Sequence, residues 1–309
     1  MGRTLIHIGM PRTASTYLQQ EFFPKVNGFK FYGVGITQYS DAFQRLMYQD
    51  DSLFDEGSFE ETAAEIRSQN AILSNELFVG QSLYLNSTNR SRTARRLKKF
   101  FPEAEIVLLV RNQVSLLQSL YAIGVYSGHT CTPEEFIRFS DSASTAHDPL
   151  YPTFAEAENT ESYKFTYLIE LYKACFSTVH VLLFEDFKVD PAAFAERLCD
   201  MLEIEKLAIT APDKKVNESL SQRQIKLIRR LNRYKKVLKR GEFGGRIFGY
   251  KLRFIEHYLH GKEKFQFSKK LQAELGNTFI ADNQKLTNLL PHLKDSGRFT
   301  KDYLGKTDG

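Results

Sequence analysis

Leu5-Ile6-His7-Ile8-Gly9-Met10-Pro11-Arg12-Thr13-Ala14-Ser15-Thr16-Tyr17-Leu18 is the stretch that decides how this chain is read. Residues 5–8 form a short apolar run expected as a strand, and Gly9 and Pro11 mark a turn. Arg12 follows as a lone cation, and Thr13, Ser15 and Thr16 bring hydroxyls to the start of a helix. A strand that passes through such a turn into a helix N-terminus gathers backbone N–H groups around an oxyanion. The helix start adds about half an elementary positive charge, Arg12 adds a full one, and the hydroxyls add donors. Read as plain structure, the same residues make a strand-turn-helix with Thr13 as N-cap.

A second segment supports the first. Glu105-Ile106-Val107-Leu108-Leu109-Val110 is a continuous apolar run of the kind expected in a strand buried on both faces. It ends in Arg111-Asn112-Gln113, after which Val114, Leu117, Leu120 and Tyr121 recur at helical spacing. Arg111 is therefore expected at a strand's C-terminal end, and Ser119 about two turns into the next helix. An Arg fork and a hydroxyl can hold one phosphate between them, the Arg through bidentate charge-assisted bonds. Taken alone, an Arg after a strand serves equally well as a surface ion-pair partner.

The order of residues 9–16 departs from a Walker A loop, Gly-x-x-x-x-Gly-Lys-Ser/Thr, in which Lys stands beside the final hydroxyl. Here the cation comes three residues after Gly9, and no Gly precedes the hydroxyl pair. This order resembles the 5′-phosphosulfate loop of sulfotransferases that use 3′-phosphoadenosine 5′-phosphosulfate (PAPS). Arg111, Ser119 and Tyr121 match the same family's 3′-phosphate motif, although Gln113 stands where members often carry Pro. Ala71–Glu76 is similar to the family's second core strand, ending in Ser-x-Glu. Val179–Phe187 looks like a later strand, followed by Asp190-Pro191 and a helix from Ala192 to about Leu202. Phe279–Leu286 resembles the closing helix of bacterial members. Residues 28–70 and 129–165 carry no motif that can be placed.

The resemblance implies an α/β protein with three layers, α/β/α, around a central parallel sheet, of the P-loop NTPase-like sulfotransferase fold. It implies a donor site built from Arg12, Thr13, Ala14, Ser15, Thr16, Tyr17, Arg111 and Ser119. The implied reaction moves a sulfuryl group from PAPS to a hydroxyl or amine and releases 3′-phosphoadenosine 5′-phosphate (PAP). A carbohydrate or glycoconjugate acceptor follows from the Ser-x-Glu motif and from a basic region described below. No metal is required, because the reacting group of this donor carries less charge than the terminal phosphate of ATP.

Such a reaction needs charge neutralisation of the leaving phosphate and a base for the acceptor. Arg12 suits the first role as an electrostatic stabiliser; members more often have Lys, and the high pKa of Arg disfavours literal proton donation. Glu76 suits the second, at the end of a parallel strand on the side where open α/β sheets bind ligands. Its structural alternatives are an ion pair with Arg12 or Arg111, or a helix cap. Cytosolic small-molecule members use an early His instead; His7 lies inside a strand, and His129 and His147 lie in segments without a motif. A P-loop kinase using ATP and Mg²⁺ is the rival enzyme, with Glu185-Asp186 as its strand-end acid. A catalytically inactive relative that binds membrane or glycan is the non-enzymatic rival.

The 309 residues, 42% hydrophobic and 26% charged, suit one soluble α/β domain over 1–309 with a basic helical portion at about 214–270. No run approaches the ~18 apolar residues of a membrane span. Met1-Gly2-Arg3 leads directly into the first strand, so no signal peptide is expected. Cys131, Cys175 and Cys199 lack metal-ligand spacing and read as reduced thiols. A cytoplasmic protein is expected, and the sequons at Asn86, Asn89 and Asn217 then carry no meaning.

Between Lys214 and Lys270, 18 Lys/Arg face four acids; this balance of +14 leaves −9 for the rest of a chain whose net charge is +5. Ile225, Ile228, Leu231, Tyr234 and Leu238 recur at helical spacing, with cations on the remaining faces. Gly241, Gly244 and Gly245 follow, then aromatics among cations: Phe248, Tyr250, Phe254, Tyr258, Phe265 and Phe267. Two main readings stay open: a docked helix with a solvated cationic face, or a surface for an acidic glycan or an anionic membrane. Nucleic acid is not expected, because no recognition motif accompanies the charge.

Overall fold

Five short strands pair into one parallel sheet in the computed structural model, which describes residues 2–33, 37–79, 89–139, 158–207, 220–238, 263–293 and 297–304. Its strands are β1 (Thr4–His7), β2 (Lys30–Gly33), β3 (Ala71–Ser74), β4 (Glu105–Val110) and, after the short pair β5 (Ile137–Arg138) and β6 (Glu158–Asn159), β7 (Val179–Leu183). They lie in the order β2-β3-β1-β4-β7, every neighbour parallel. Parallel neighbours need crossover connections, which helices supply. After β1 comes α1 (Ser15–Tyr17), continued by a π-helical turn over Leu18–Phe22 and a 3-10 turn over Phe23–Lys25. Then come α2 (Thr37–Tyr48), α3 (Glu56–Arg67), α4 (Arg90–Phe100), α5 (Gln113–Ser127), α6 (Pro133–Phe136) and α7 (Phe165–Cys175). The rest are α8 (Phe184–Val189), α9 (Pro191–Leu202), α10 (Gln222–Leu238), α11 (Lys269–Leu289) and α12 (Gly297–Leu304).

The chain forms two compact units, the first made of Met1–Asn112, Lys164–Val216 and Ile280–Gly309. It holds the five-stranded sheet. β1 is central, paired to β3 from Thr4↔Ala71 to His7↔Ser74 and to β4 from Leu5↔Glu105 to His7↔Val107. The strand order reverses across β1, so its C-terminal end is the place where open α/β sheets take ligands. Leu5, Ile72, Val107, Leu109 and Leu182 share one face, covered by Leu18, Phe22 and Phe23 after β1 and by Phe194, Leu198 and Leu202 of α9. Each such burial is worth about 1.5–3 kcal/mol. The alternate residues Ile6, Leu73, Ile106 and Leu108 are equally buried, as both faces of a parallel sheet must be. α4 packs on α2 and α7.

The second unit consists of Gln113–Tyr163 and Asn217–Phe279. Here α10 packs on α5, and Asn232 Nδ2 donates to the carbonyls of Val125 (2.6 Å) and His129 (2.9 Å). Ile225 and Ile228 are buried, but Tyr234 is 65% exposed, so the apolar face of α10 does not continue through Tyr234 as the spacing suggests. Residues 214–219 and 239–262, with the Gly cluster and most of the interleaved aromatics, lie outside the described residues. Among the described residues no helix is long and apolar enough to cross a membrane.

Candidate active site

Beyond β1 the chain keeps following β4, with Ile8 N donating to Val107 O (2.9 Å) and Met10 N to Leu109 O (3.4 Å). It then turns through two left-handed residues, Arg12 (φ 70°) and Ala14 (φ 65°), on either side of Thr13. Alternation of this kind aims successive N–H groups to one side and forms an anion-binding nest. A left-handed residue other than Gly costs of order 1–3 kcal/mol and persists only where its surroundings over-determine it. Thr13 is part of that frame, fully buried with its hydroxyl donating to the Met10 carbonyl. Thr13 is therefore not the N-cap that a plain strand-turn-helix would make it. Ala14 holds that position, no side chain caps α1, and the first-turn N–H groups remain for an anion.

Gly9 is required for space and not for its dihedral angle. A Cβ there would stand 2.5 Å from His7 Nε2 and 3.2 Å from Ser15 Oγ. His7 is fully enclosed in the sheet, and its Nδ1 lies 2.7 Å from Ser74 Oγ, which also accepts from Gln19 Nε2 at 3.1 Å. Burial pushes the His7 pKa down to about 3, so the ring is neutral. Neither His7 Nε2 nor Ser15 Oγ completes a hydrogen bond.

Arg111 ends β4 and reaches back to this loop. Its Nη1 donates to the Arg12 carbonyl at 2.9 Å, and its guanidinium lies 4.6 Å from the centre of the Phe184 ring. Burial lowers its pKa to about 10 against the opposing charge of Glu185, which leaves it cationic at neutral pH. Glu185 is buried and held in place: Oε1 accepts from Asn112 N (2.9 Å) and Oε2 from Tyr303 OH (2.8 Å). Burial still raises its pKa. Asp186 pairs with Arg197 at 3.0 Å. Both acids that a kinase would place at this strand end thus have structural partners. Among the described residues, no three His, Cys, Asp or Glu side chains gather to hold a metal ion.

Glu76 opens the 3-10 turn Glu76–Val79 directly after β3. Capping here falls to Asn75, whose Oδ1 accepts from Leu77 N at 2.9 Å. Burial raises the Glu76 pKa, and the Ser15 hydroxyl and the Arg12 charge pull against it without cancelling it. Ser15 Oγ is near enough to favour the carboxylate but does not form a well-aligned hydrogen bond with it. Arg12, Ser15, Glu76 and Arg111 therefore act on one another at the ends of β1, β3 and β4. The structure places Thr16 half-buried beside them and Tyr17 in the apolar core, 4.7 Å from the Phe187 ring. Ser119 lies on α5 in the second unit. Its motif neighbour Tyr121 is buried there, donating to Cys131 O (2.9 Å) and accepting from Arg229 Nη1 (3.2 Å).

No protein-family model matches this sequence, and a search of curated proteins finds no match. Among solved structures, a sulfotransferase from Alicyclobacillus acidocaldarius superposes with a TM-score of 0.55 at 14% identity, covering 94% of this chain and 97% of its own. The fold is a sulfotransferase fold. The sulfotransferase domain from the curacin biosynthetic pathway is less similar, with a TM-score of 0.39 at 13% identity over 67% of this chain and 75% of its own. Within the sulfotransferase fold as this chain builds it, sequence reading missed Gln19, Phe184 and Tyr303. Gln19 was open to discovery, four residues after Ser15 and so on the same helical face. Tyr303 had no local signal, because it meets Glu185 only through the folding of α12.

Proposed function

We propose that this chain is a sulfotransferase that moves a sulfuryl group from PAPS to a hydroxyl of an acceptor, with carbohydrate or glycoconjugate as the acceptor class. One observation carries the reading: the nest at Arg12 and Ala14 is joined to Arg111 by a hydrogen bond, so two cations meet an uncapped helix start. The buried Ser15 hydroxyl, which completes no hydrogen bond although Glu76 is near, fits an oxyanion at that place. In the transfer, the bond from sulfur to the bridging phosphate oxygen breaks and one from sulfur to the acceptor oxygen forms. Arg12 and the loop N–H groups stabilise the charge left on the phosphate. Glu76 takes the acceptor proton, and its raised pKa makes it a stronger base once ionised. Arg111 holds the 3′-phosphate. The cationic stretch 214–270 suits an acidic acceptor or an anionic membrane surface, and salt-dependent binding to acidic polysaccharide or to anionic vesicles separates the two.

The test is turnover with labelled PAPS in EDTA, using a panel of sugar acceptors. Sulfated product that survives chelation supports the proposal. Turnover of ATP that depends on Mg²⁺, with none of PAPS, overturns it.

A further inference from the structure

Behind the anion loop, four polar groups fall into a line with one direction of donation. Gln19 Nε2 donates to Ser74 Oγ at 3.1 Å, so the Ser74 hydrogen is directed elsewhere. Among the described residues, the other polar side-chain atom within hydrogen-bond distance of Ser74 Oγ is His7 Nδ1, at 2.7 Å. A hydroxyl that donates to Nδ1 leaves the single proton of a neutral imidazole on Nε2. His7 Nε2 and Ser15 Oγ both face the bare Cα of Gly9 and both are buried; neither completes a hydrogen bond, with the other included, and the Ser15 hydroxyl lies close to the Glu76 carboxylate. They are complementary under this assignment: Nε2–H is a donor, and Ser15 Oγ has lone pairs to accept it.

We propose that His7 is a positioning residue for the anion loop, held by Ser74 in the Nε2–H tautomer so that, when an anion draws the Ser15 hydrogen away from Glu76, Nε2–H closes the gap to Ser15 Oγ and donates to it. The chain of donation then runs Gln19, Ser74, His7, Ser15, anion. Each member is polarised in the same sense, which strengthens the last donor. Gly9 is the residue that leaves the approach from His7 to Ser15 open. The role rests on the loop's being the donor site proposed above, and it assigns His7 no direct contact with the reacting atoms.

Nitrogen-resolved NMR of the histidines in the wild-type protein reads the tautomer without any assay of activity. The His7 signals, identified by their disappearance in His7→Gln, are expected to show Nε2 protonated and Nδ1 bare. A proton on Nδ1 overturns the proposal. Calorimetry with PAP supplies the functional arm. Ser74→Ala and His7→Asn are expected to weaken binding about tenfold, as one lost hydrogen-bond partner does. His7→Gln, whose amide reaches the Nε2 position, is expected to stay within about threefold of wild type. Equal losses in His7→Gln and His7→Asn, or none in Ser74→Ala, contradict the relay. If wild-type protein fails to bind PAP, the donor reading falls, while the NMR arm still decides the tautomer.

Discussion

Acidification should unfold this protein through His7, and the size of the effect follows from its burial. The ring is fully enclosed, and its pKa falls from 6.5 to about 3 in the folded chain. An unfolded chain binds a proton at this position below pH 6.5, while the native chain does so only near pH 3, so the stability His7 contributes is intact above 6.5 and drains away below it. At pH 5 the 1.5-unit interval below 6.5 corresponds to about 2 kcal/mol, at about 1.4 kcal/mol per unit. That is a large share of the ~5–15 kcal/mol by which domains are stable. Half-buried Glu76 and buried Glu185 and Asp282 act with the opposite sign: their raised pKa values make native stability fall as pH rises. The assay must therefore compare wild type with His7→Gln, which cannot titrate. Urea midpoints at pH 7.5, 6 and 5 are expected to shift in favour of the variant by about 2 kcal/mol between the extremes. Curves that remain parallel across that range would show that His7 is not the buried neutral ring described here.

Arg111→Ala should weaken PAP binding by about 1.5–3 kcal/mol, the worth of a charged hydrogen bond, and unchanged affinity in calorimetry would remove Arg111 from the phosphate site. Glu76→Gln should depress turnover with PAP affinity largely intact; equal loss of affinity in the two variants would remove Glu76 as base. Because burial raises the Glu76 pKa above 4.5, the same variant should be more stable than wild type at neutral pH, and the gap should close as pH falls below that value. Gly9→Ala should cost about 1–3 kcal/mol in urea unfolding, because the new methyl meets His7 Nε2 at 2.5 Å, and no loss would mean the space is open. Ala14→Gly, at φ 65°, should gain up to about 1 kcal/mol, and a clear loss of stability would argue against a left-handed residue there.

The sheet was legible because its central strands are short apolar runs ended by punctuation. Ala71–Ser74 and Glu105–Val110 needed no tertiary information, and Asp190-Pro191 announced a helix that begins at Pro191 with Asp190 as its cap. β2 and α2 were not legible: Lys30–Gly33 is a four-residue edge strand whose pairing with β3 is set across a long sequence separation. The loop after β1 was legible as a pattern of turn, cation and hydroxyls. The separate roles of those hydroxyls were not. Thr13, Ser15 and Thr16 read alike in sequence as hydroxyls near a helix start, yet burial sends Thr13 to the Met10 carbonyl, and the neighbouring Tyr17 goes into the core. Ser15 faces Gly9 and Glu76. The His7 line was hidden for the same reason, since its partners come from β3 and α1 and meet only once the sheet has formed.

The central claim is that this loop binds a sulfuryl donor's nucleotide without metal. Calorimetric titration of the wild-type chain with PAP in EDTA tests it most directly. One-to-one binding that persists in EDTA and weakens in Arg111→Ala is the predicted result. No heat with PAP, together with binding of ATP that appears only with Mg²⁺, would contradict it.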